Sequence, residues 1–298
     1  MATTPAIQTE ALVKRYGRSG ATALKGLDLT VGEGEVFGFL GPNGAGKSTT
    51  IRLLLDLIRP TSGTVRVLGV DPRSSHELRG KLGYLAGDFV VNGRQTGREL
   101  LDYLGDLRGG VPRQRIDELA AALDLDLSRR IGTLSKGNRQ KVGVVQAFMH
   151  RPPLLVLDEP TSGLDPFLQQ QFVELVREAS GNGQTVFMSS HVMSEVQQTC
   201  HRVGIIRDGT LVAVEDIDDL RKRAVRKVEV VFGSPPGLDQ IAGLQEPSLT
   251  GNVLRGRLSG DADAFIKSIA GFHVTDIVSE EPELEELFFT YYAHPQEA

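Results

Sequence analysis

Residues 41–49 read GPNGAGKST and have the residue types and spacing of a phosphate-binding loop. In such a loop, successive backbone N–H groups point at phosphate oxygens, and a lysine and a hydroxyl follow at fixed positions. Lys47 is predicted to reach the β- and γ-phosphates of a nucleotide, and Ser48 to ligate Mg²⁺. The predicted nucleotide-binding residues of the loop are Gly41, Pro42, Asn43, Gly44, Ala45, Gly46, Lys47, Ser48 and Thr49.

An acidic pair follows a second apolar run further along the chain. The run LLVLD ends at Asp158, and Glu159 comes directly after it. An enzyme with a phosphate-binding loop needs an acidic residue to hold Mg²⁺ and often another to handle the attacking water. Asp158 is predicted to hold the metal through water, and Glu159 to accept the proton of the attacking water. General-base help of this kind is worth roughly a hundred- to ten-thousand-fold in rate.

A second candidate anion site lies at residues 134–138, which read LSKGN. A serine and a glycine open what is predicted to be a helix, with Lys136 and Arg139 close by. Exposed backbone N–H groups at a helix start, with a hydroxyl and cations beside them, attract anions. The pattern therefore indicates two phosphate sites in one chain.

The elements that must position these residues alternate between strands and helices. EVFGFL before the phosphate-binding loop, LLVLD (154–158) and TVFMSS (185–190) are continuous apolar runs, typical of strands that are covered on both faces. Helical spacing follows the first of these runs and separates the other two, which predicts a mainly parallel α/β sheet. A helical block at about 88–150 is inserted into it. The pattern changes after VGIIRDGTLVAV, which predicts a first domain at 1–222 and a small α+β domain at 223–298.

Composition and charge exclude several classes of protein. The chain has 298 residues, of which 40% are hydrophobic and 24% charged, so a buried core is expected. The net charge of −5 argues against nucleic acid as a partner. A single cysteine permits no disulfide within the chain, which fits a reducing cytosol. The first residues lack the apolar core of a signal peptide, and no apolar run reaches the roughly twenty residues of a membrane span. Action at a membrane is therefore expected from the aqueous side.

Taken in order along the chain, these motifs resemble those of the ATP-binding subunits of ABC transporters. LSKGN stands where that family has its signature motif, usually LSGGQ, upstream of the DEP element. In the family, two subunits bind head to tail and enclose ATP between the phosphate-binding loop of one and the signature motif of the other. The resemblance implies that Ser135 and Gly137 bind the γ-phosphate of a nucleotide held by the partner, which would explain two anion sites in one chain. It also implies an α/β P-loop NTPase fold, ATP and Mg²⁺ as cofactors, and a dimer, for which a homodimer is the first expectation and a heterodimer stays open.

The resemblance assigns three further residues. Tyr16, in VKRYG, is placed like the aromatic residue that stacks on adenine, although a tyrosine near a strand end can also be a packing residue. Asp165, in SGLDP, lies in a loop that resembles the one through which the two subunits communicate. His191 resembles the switch histidine that contacts the γ-phosphate. The implied catalytic residues are Glu159, His191 and Lys47, and the implied metal ligands are Ser48 and Asp158.

Two departures from the family pattern concern the same site. The family commonly has a glutamine after the strand near GYL, where it contacts Mg²⁺ and water and senses the permease. Here Gly87 stands at that place with Asp88 next, so the usual side chain is missing. Lys136 and Asn138 also replace the common glycine and glutamine of the signature motif.

YLAGDF, LSKGNRQK and the tail EPELEELFFTYY most resemble exporters whose ATPase is encoded apart from a helical permease, including antibiotic-resistance ATPases of the daunorubicin type. This implies an ATP-hydrolysing subunit that powers export, bound to the inner face of the cell membrane through its permease. Two alternatives stay open. One is a soluble ABC ATPase acting on ribosomes or DNA, against which the single cassette and the acidic charge argue. The other is a nucleotide-gated clamp with little hydrolysis, motivated by Gly87.

Overall fold

A computed structural model describes residues 4–17, 20–91, 93–280 and 284 of the chain. The chain divides into two compact units, Met1–Val214 and Glu215–Ala298. The division falls ahead of a short helix, whereas the sequence pattern places the junction near residue 223, where that helix ends. Apart from Leu284, the tail EPELEELFFTYY lies outside the described residues. No helix in the described part of the chain is long and apolar enough to cross a membrane.

The first unit contains two sheets. Its strands, the last of which runs into the second unit, are β1 (Ile7–Arg15), β2 (Thr22–Val31), β3 (Val36–Leu40), β4 (Ser62–Val67), β5 (Leu82–Leu85), β6 (Leu154–Asp158), β7 (Thr185–Ser190), β8 (Arg202–Arg207) and β9 (Thr210–Asp216). Six of them form one sheet in the order β5-β6-β7-β3-β8-β9, and the pairs β5–β6, β6–β7, β7–β3 and β3–β8 are parallel. The predicted parallel α/β sheet is therefore confirmed. The smaller sheet, β2-β1-β4, is antiparallel.

Every residue of β3, β6 and β7 is buried, as their continuous apolar runs predict for central parallel strands. The rings of Phe37 on β3 and Phe187 on β7 stack with centroids 6.0 Å apart, and Phe39 lies 5.4 Å from Phe187. Because parallel strands end at the same edge, the residues after β3, β6 and β7 come together there.

Seven helices accompany these sheets within the described part of the first unit. They are α1 (Lys47–Leu54), α2 (Glu77–Gly80), α3 (Gly97–Leu107), α4 (Arg113–Ala122), α5 (Lys136–Phe148), α6 (Pro166–Gly181) and α7 (Met193–Thr199). The helices α3, α4 and α5 lie between β5 and β6 in the chain, and α3 and α4 each pack on α5. They form the inserted helical part. Helix α5 also packs on β5.

The second unit is a small α+β fold. After α8 (Ile217–Arg223) come β10 (Val225–Phe232), β11 (Gln245–Thr250), β12 (Val253–Ser259), α9 (Asp263–Ile269) and β13 (Val274–Ser279). The strands form an antiparallel sheet in the order β11-β12-β10-β13. Its core consists of Val228, Val230, Phe232, Leu254, Leu258, Phe265 and Ile269.

Candidate active site

The phosphate-binding loop connects β3 to α1, and at two of its positions the backbone adopts a left-handed conformation that favours glycine. Gly44 and Gly46 have φ values of 84° and 114°. A Cβ atom at Gly46 would lie 2.8 Å from the carbonyl oxygen of Ala23, so no side chain fits there. The N–H of Gly41 donates to the carbonyl oxygen of Ser190 at 3.3 Å. That bond connects the start of the loop to the end of β7.

Lys47 is the first residue of α1, and its side chain is only 6% exposed. Its Nζ donates to the carbonyl oxygen of Gly41 at 2.6 Å and to that of Pro42 at 3.3 Å. The same Nζ lies 3.2 Å from Glu159 Oε1. The ammonium group is therefore inside the loop and is paired with the carboxylate proposed from the sequence as the base.

The acidic pair occupies the end of β6. Asp158 is buried, and its Oδ1 accepts a hydrogen bond from Ser189 Oγ at 2.6 Å. Glu159 has a φ of 48°, an unfavourable conformation for a residue with a side chain. Its N–H donates to the carbonyl oxygen of Ser189 at 3.2 Å and to Ser189 Oγ at 3.1 Å. These bonds hold the turn that directs Glu159 toward Lys47, and backbone strain of this kind is concentrated at functional sites.

His191 completes a row of three side chains. It follows β7, and its Nδ1 lies 2.7 Å from Glu159 Oε2. The carboxylate of Glu159 therefore has Lys47 at one oxygen and His191 at the other. The structure brings together these three predicted catalytic residues, which come from the carboxyl ends of neighbouring strands.

Ser135 and Gly137 lie at the start of α5. Ser135 is exposed and caps this helix, since its Oγ accepts from the N–H of Asn138 at 3.2 Å. A Cβ atom at Gly137 would lie 2.9 Å from the carbonyl oxygen of Gly163, so the helix start lies against the loop that leads to Asp165. Among the described residues, no hydrogen bond or ion pair joins Ser135 to the row Lys47–Glu159–His191.

Asp165 caps α6. Its Oδ1 accepts from the N–H of Leu168 at 3.0 Å, and the residue is exposed. Tyr16 is 42% exposed. Its hydroxyl lies 3.3 Å from Thr49 Oγ1, and Lys14 Nζ lies 5.2 Å from the centre of its ring. Tyr16 is therefore beside the phosphate-binding loop, where an aromatic face could meet a nucleotide base.

Gly87 lies in the loop after β5, close to the acidic pair. A Cβ atom there would be 3.2 Å from the carbonyl oxygen of Asp158 and 3.7 Å from its Cγ. Asp88 is exposed. The next residue, Phe89, packs on α5, because a Cβ atom at Gly143 would lie 2.9 Å from the Phe89 ring. The glutamine side chain that the family commonly has is therefore absent, and the backbone of Gly87 lies close to Asp158 instead.

The sequence pattern did not single out the polar residues that support this row. Ser189 holds Asp158 and the backbone of Glu159, and Glu195 bonds the hydroxyls of Thr161 and Ser190. One signal was present for the serines: two of them end an apolar strand directly before a histidine. Buried hydroxyls at a strand's end require partners, and those partners lie in the neighbouring loop.

A glycine-rich loop holding a lysine at a helix start, together with an acidic pair on a neighbouring strand, defines a P-loop nucleoside triphosphatase. Comparison with known proteins narrows the class. Residues 24–162 match the family described as "ABC transporter". The bacitracin transport ATP-binding protein BcrA of Enterococcus faecalis is 38% identical over 221 residues, which cover 73% of this chain and 71% of BcrA. A fluoroquinolones export ATP-binding protein of Mycobacterium tuberculosis is 32% identical over 291 residues, which cover 96% of this chain and 92% of that protein.

A solved structure described as the ATP-binding subunit of an ABC transporter has 29% sequence identity and a TM-score of 0.68, and the match covers 74% of this chain and 92% of that one. The chain therefore belongs to the ABC transporter family, as one of its ATP-binding subunits. It is an ATPase of the exporter type, as the motifs predict. The comparisons do not support an ABC protein acting on ribosomes or DNA, or a clamp with little hydrolysis.

Proposed function

We propose that this chain is one half of a dimer that encloses two ATP molecules and drives a separately encoded transmembrane permease. The observation that carries the proposal is the division of the predicted site residues into two groups. Lys47, Glu159 and His191 contact one another in a row, whereas Ser135 is exposed on a helix start without a bond to any of them. Each chain would then supply one group to each nucleotide.

The row supplies the chemistry of hydrolysis. Lys47 would turn from Glu159 to the β- and γ-phosphates and neutralise part of their charge. Glu159 would then accept a proton from the attacking water, while His191 keeps the carboxylate oriented through Oε2. Ser135 and the backbone at Gly137, on the partner, would bind the γ-phosphate at a helix start.

The residues present fit Mg²⁺. Ser48 and Asp158 offer a hydroxyl and a carboxylate, and oxygen ligands of this kind suit a hard cation that keeps several waters and binds phosphates. Ser189 Oγ fixes one carboxylate oxygen of Asp158 at 2.6 Å, which orients the group. Held there by Ser48 and Asp158, Mg²⁺ would supply positive charge that neutralises part of the charge of the phosphates.

The permease is proposed to bind an exposed apolar surface of the helical part. Tyr103 and Leu107 lie one turn apart on α3, so they share a face, and they are 55% and 67% exposed. Val90, in the loop between β5 and α3, is 78% exposed. Exposed apolar side chains that share a face, as Tyr103 and Leu107 do, mark binding surfaces more often than single ones. Docking there would bring the chain to the inner face of the cell membrane. The relatives named for bacitracin and fluoroquinolones favour an antimicrobial compound as cargo.

A mixing experiment tests the shared site. Ser135→Arg and Lys47→Ala are each expected to be inactive, because each damages both sites of its homodimer. In the mixed dimer, the intact loop of one chain meets the intact signature motif of the other, so part of the activity should return. The measurement is phosphate release after mixing, with heterodimers quantified through two affinity tags.

The matched control mixes Lys47→Ala with Glu159→Gln. Both residues belong to the same row of one chain, so every site of that mixed dimer stays damaged and no activity should return. If the first mixture also stays inactive although heterodimers form, the shared site is excluded. Recovery in both mixtures would contradict the division of residues between the two groups.

A further inference from the structure

Glu195 connects two loops of the active site that are distant in sequence. Its Oε1 accepts a hydrogen bond from the Thr161 hydroxyl, and its Oε2 accepts one from the Ser190 hydroxyl at 2.7 Å. Thr161 follows Glu159 by two positions, and Ser190 directly precedes His191. Thr161 and Ser190 are buried, so both bonds form away from water, where bonds to a charged group are strongest.

Together with the pair Glu159–His191, these bonds form a closed ring. His191 Nδ1 meets Glu159 Oε2 at 2.7 Å on one side of the ring. On the other side, the carboxylate of Glu195 joins Thr161 to Ser190. Short pieces of backbone complete the ring. Two connections restrict the movement of Glu159 against His191 more than their single mutual contact does.

A carboxylate suits this position because it accepts two hydroxyl protons at once, one on each oxygen. The Ser190 hydroxyl has only one proton to give. Its Oγ accepts from the N–H of Val192 at 2.9 Å and lies 3.3 Å from the Val192 carbonyl oxygen, which is farther than the 2.7 Å to Glu195. The proton therefore goes to Glu195.

We propose that Glu195 is a positioning residue for ATP hydrolysis. It holds Thr161 and Ser190, and through them it keeps Glu159 and His191 in the arrangement in which Glu159 can accept the proton. Within the described part of the chain, its side chain bonds these two hydroxyls. The proposal rests on the roles proposed above for Glu159 and His191.

The first test is Glu195→Ala in the full chain. We expect kcat to fall by about tenfold, the size expected for the loss of a hydrogen bond to a charged group. The affinity for a fluorescent ATP analogue should stay within about twofold, because Lys47 and its loop are untouched. Glu195→Gln should restore most of kcat, since an amide can accept from one hydroxyl and donate to the other.

The control is Glu174→Ala, an exposed glutamate of α6, which should leave both kcat and affinity unchanged. A second pair of variants probes one bond of the ring. Thr161→Val removes the donor at nearly constant volume and should lower kcat, whereas Thr161→Ser retains the hydroxyl and should not. This pair remains informative if Glu195→Ala does not fold.

A double-mutant cycle separates positioning from general stability. If Glu195 acts through His191, then adding Glu195→Ala to His191→Ala should cause little further loss of kcat. Losses that multiply in the double variant would overturn the proposal. So would a kcat within twofold of the wild type for Glu195→Ala, or a Glu195→Gln variant as impaired as Glu195→Ala.

The outcome for Glu159→Gln distinguishes this proposal from the proposed function. If Glu159→Gln retains turnover, the roles of the row themselves are wrong. If Glu159→Gln abolishes turnover while Glu195→Ala does not lower kcat, only the positioning role of Glu195 is wrong.

Discussion

Lys47 Nζ lies 3.2 Å from Glu159 Oε1, so the cation proposed for the phosphates and the carboxylate proposed for the water form one ion pair. The two side chains are only 6% and 21% exposed, which limits screening by salt. His191 contacts the other oxygen of Glu159 at 2.7 Å. When phosphates attract Lys47 away from Glu159, Oε1 of Glu159 would lose its partner while Oε2 keeps its contact with His191. The binding of the nucleotide and the placement of the base are linked through this contact.

The first prediction is that Glu159→Gln loses hydrolysis and keeps nucleotide binding. The amide preserves the shape of the side chain but cannot accept the proton, so kcat should fall by at least about a hundredfold. The affinity for ATP should be equal or higher, because Lys47 no longer has a competing carboxylate. Phosphate release and titration with a fluorescent nucleotide measure the two effects separately. Glu174→Gln, at an exposed position of α6, is the control. Turnover close to that of the wild type would exclude Glu159 as the base.

The strands that carry the site could be predicted because their apolar runs are continuous. The runs ending at Leu40, Asp158 and Ser190 are fully buried strands, and the loop at 41–49 follows the first of them. Since motifs with fixed spacing directly follow these runs, the positions of Lys47 and Glu159 were predictable from local sequence alone.

The bonds between loops were not predictable in this way. Ser189 bonds Asp158 and Glu195 bonds Thr161, and in each pair the partners lie more than thirty positions apart in the chain. Serine, threonine and glutamate are common surface residues, so their types reveal no partner. The positive φ of Glu159 was not predictable for a related reason. Such a backbone conformation normally indicates glycine, and here it is maintained by hydrogen bonds to Ser189, a residue distant in the sequence.

The second prediction concerns the pH dependence of stability through His150. Burial, and then the guanidinium of Arg108, lower the pKa of His150 from 6.5 to about 4. Between these two pH values the unfolded chain binds a proton that the folded chain does not. The free energy of unfolding should therefore decrease as the pH falls from about 6.5 to about 4, and this contribution should not change further below that window.

His150→Asn should remove this contribution, so its stability should change less between pH 7 and pH 5 than that of the wild type. Urea unfolding followed by circular dichroism gives the free energy of unfolding at each pH, and its change between pH 7 and pH 5 is compared between the variant and the wild type. A loss of packing in the variant affects both pH values equally and cancels from this comparison. His76→Asn is the control, because His76 is exposed. An unchanged pH dependence for His150→Asn would contradict the lowered pKa.

The third prediction concerns the single cysteine. Burial raises the pKa of the Cys200 thiol to about 12, and the carboxylates of Glu35 and Glu195 add to the shift. Only the thiolate reacts with disulfide reagents, and at pH 8 it would be roughly one ten-thousandth of the population. The native chain should therefore be nearly inert to such a reagent at pH 8, and any reaction should accelerate as the pH rises. The same chain in denaturant should react within minutes. Cys200→Ser should abolish that signal, and rapid reaction of the native chain would contradict the burial.

The fourth prediction concerns Gly87, where the chain departs from its family. A Cβ atom at this position would lie 3.2 Å from the carbonyl oxygen of Asp158, closer than nine in ten such contacts. Either the loop or Asp158 must then move, and Asp158 is the predicted metal ligand beside the base. We expect Gly87→Ala to lower kcat by about tenfold, since small displacements of catalytic groups are costly. The affinity for ATP should change less, because Lys47 and the phosphate-binding loop are unaffected.

Gly87→Gln provides the sharper comparison, because it restores the residue that the family commonly has. If the loop after β5 requires glycine, the kcat of Gly87→Gln should be at least as low as that of Gly87→Ala, although glutamine is common at this place in the family. Gly80→Ala is the matched control, since a Cβ atom there meets nothing within 4 Å. Both kcat of the isolated chain and its turnover in the presence of the proposed permease should be measured for each variant. The prediction is contradicted if Gly87→Gln turns over ATP as fast as the wild type or faster. The loop would then accommodate the side chain, and the close approach of Gly87 to Asp158 would have no role in hydrolysis.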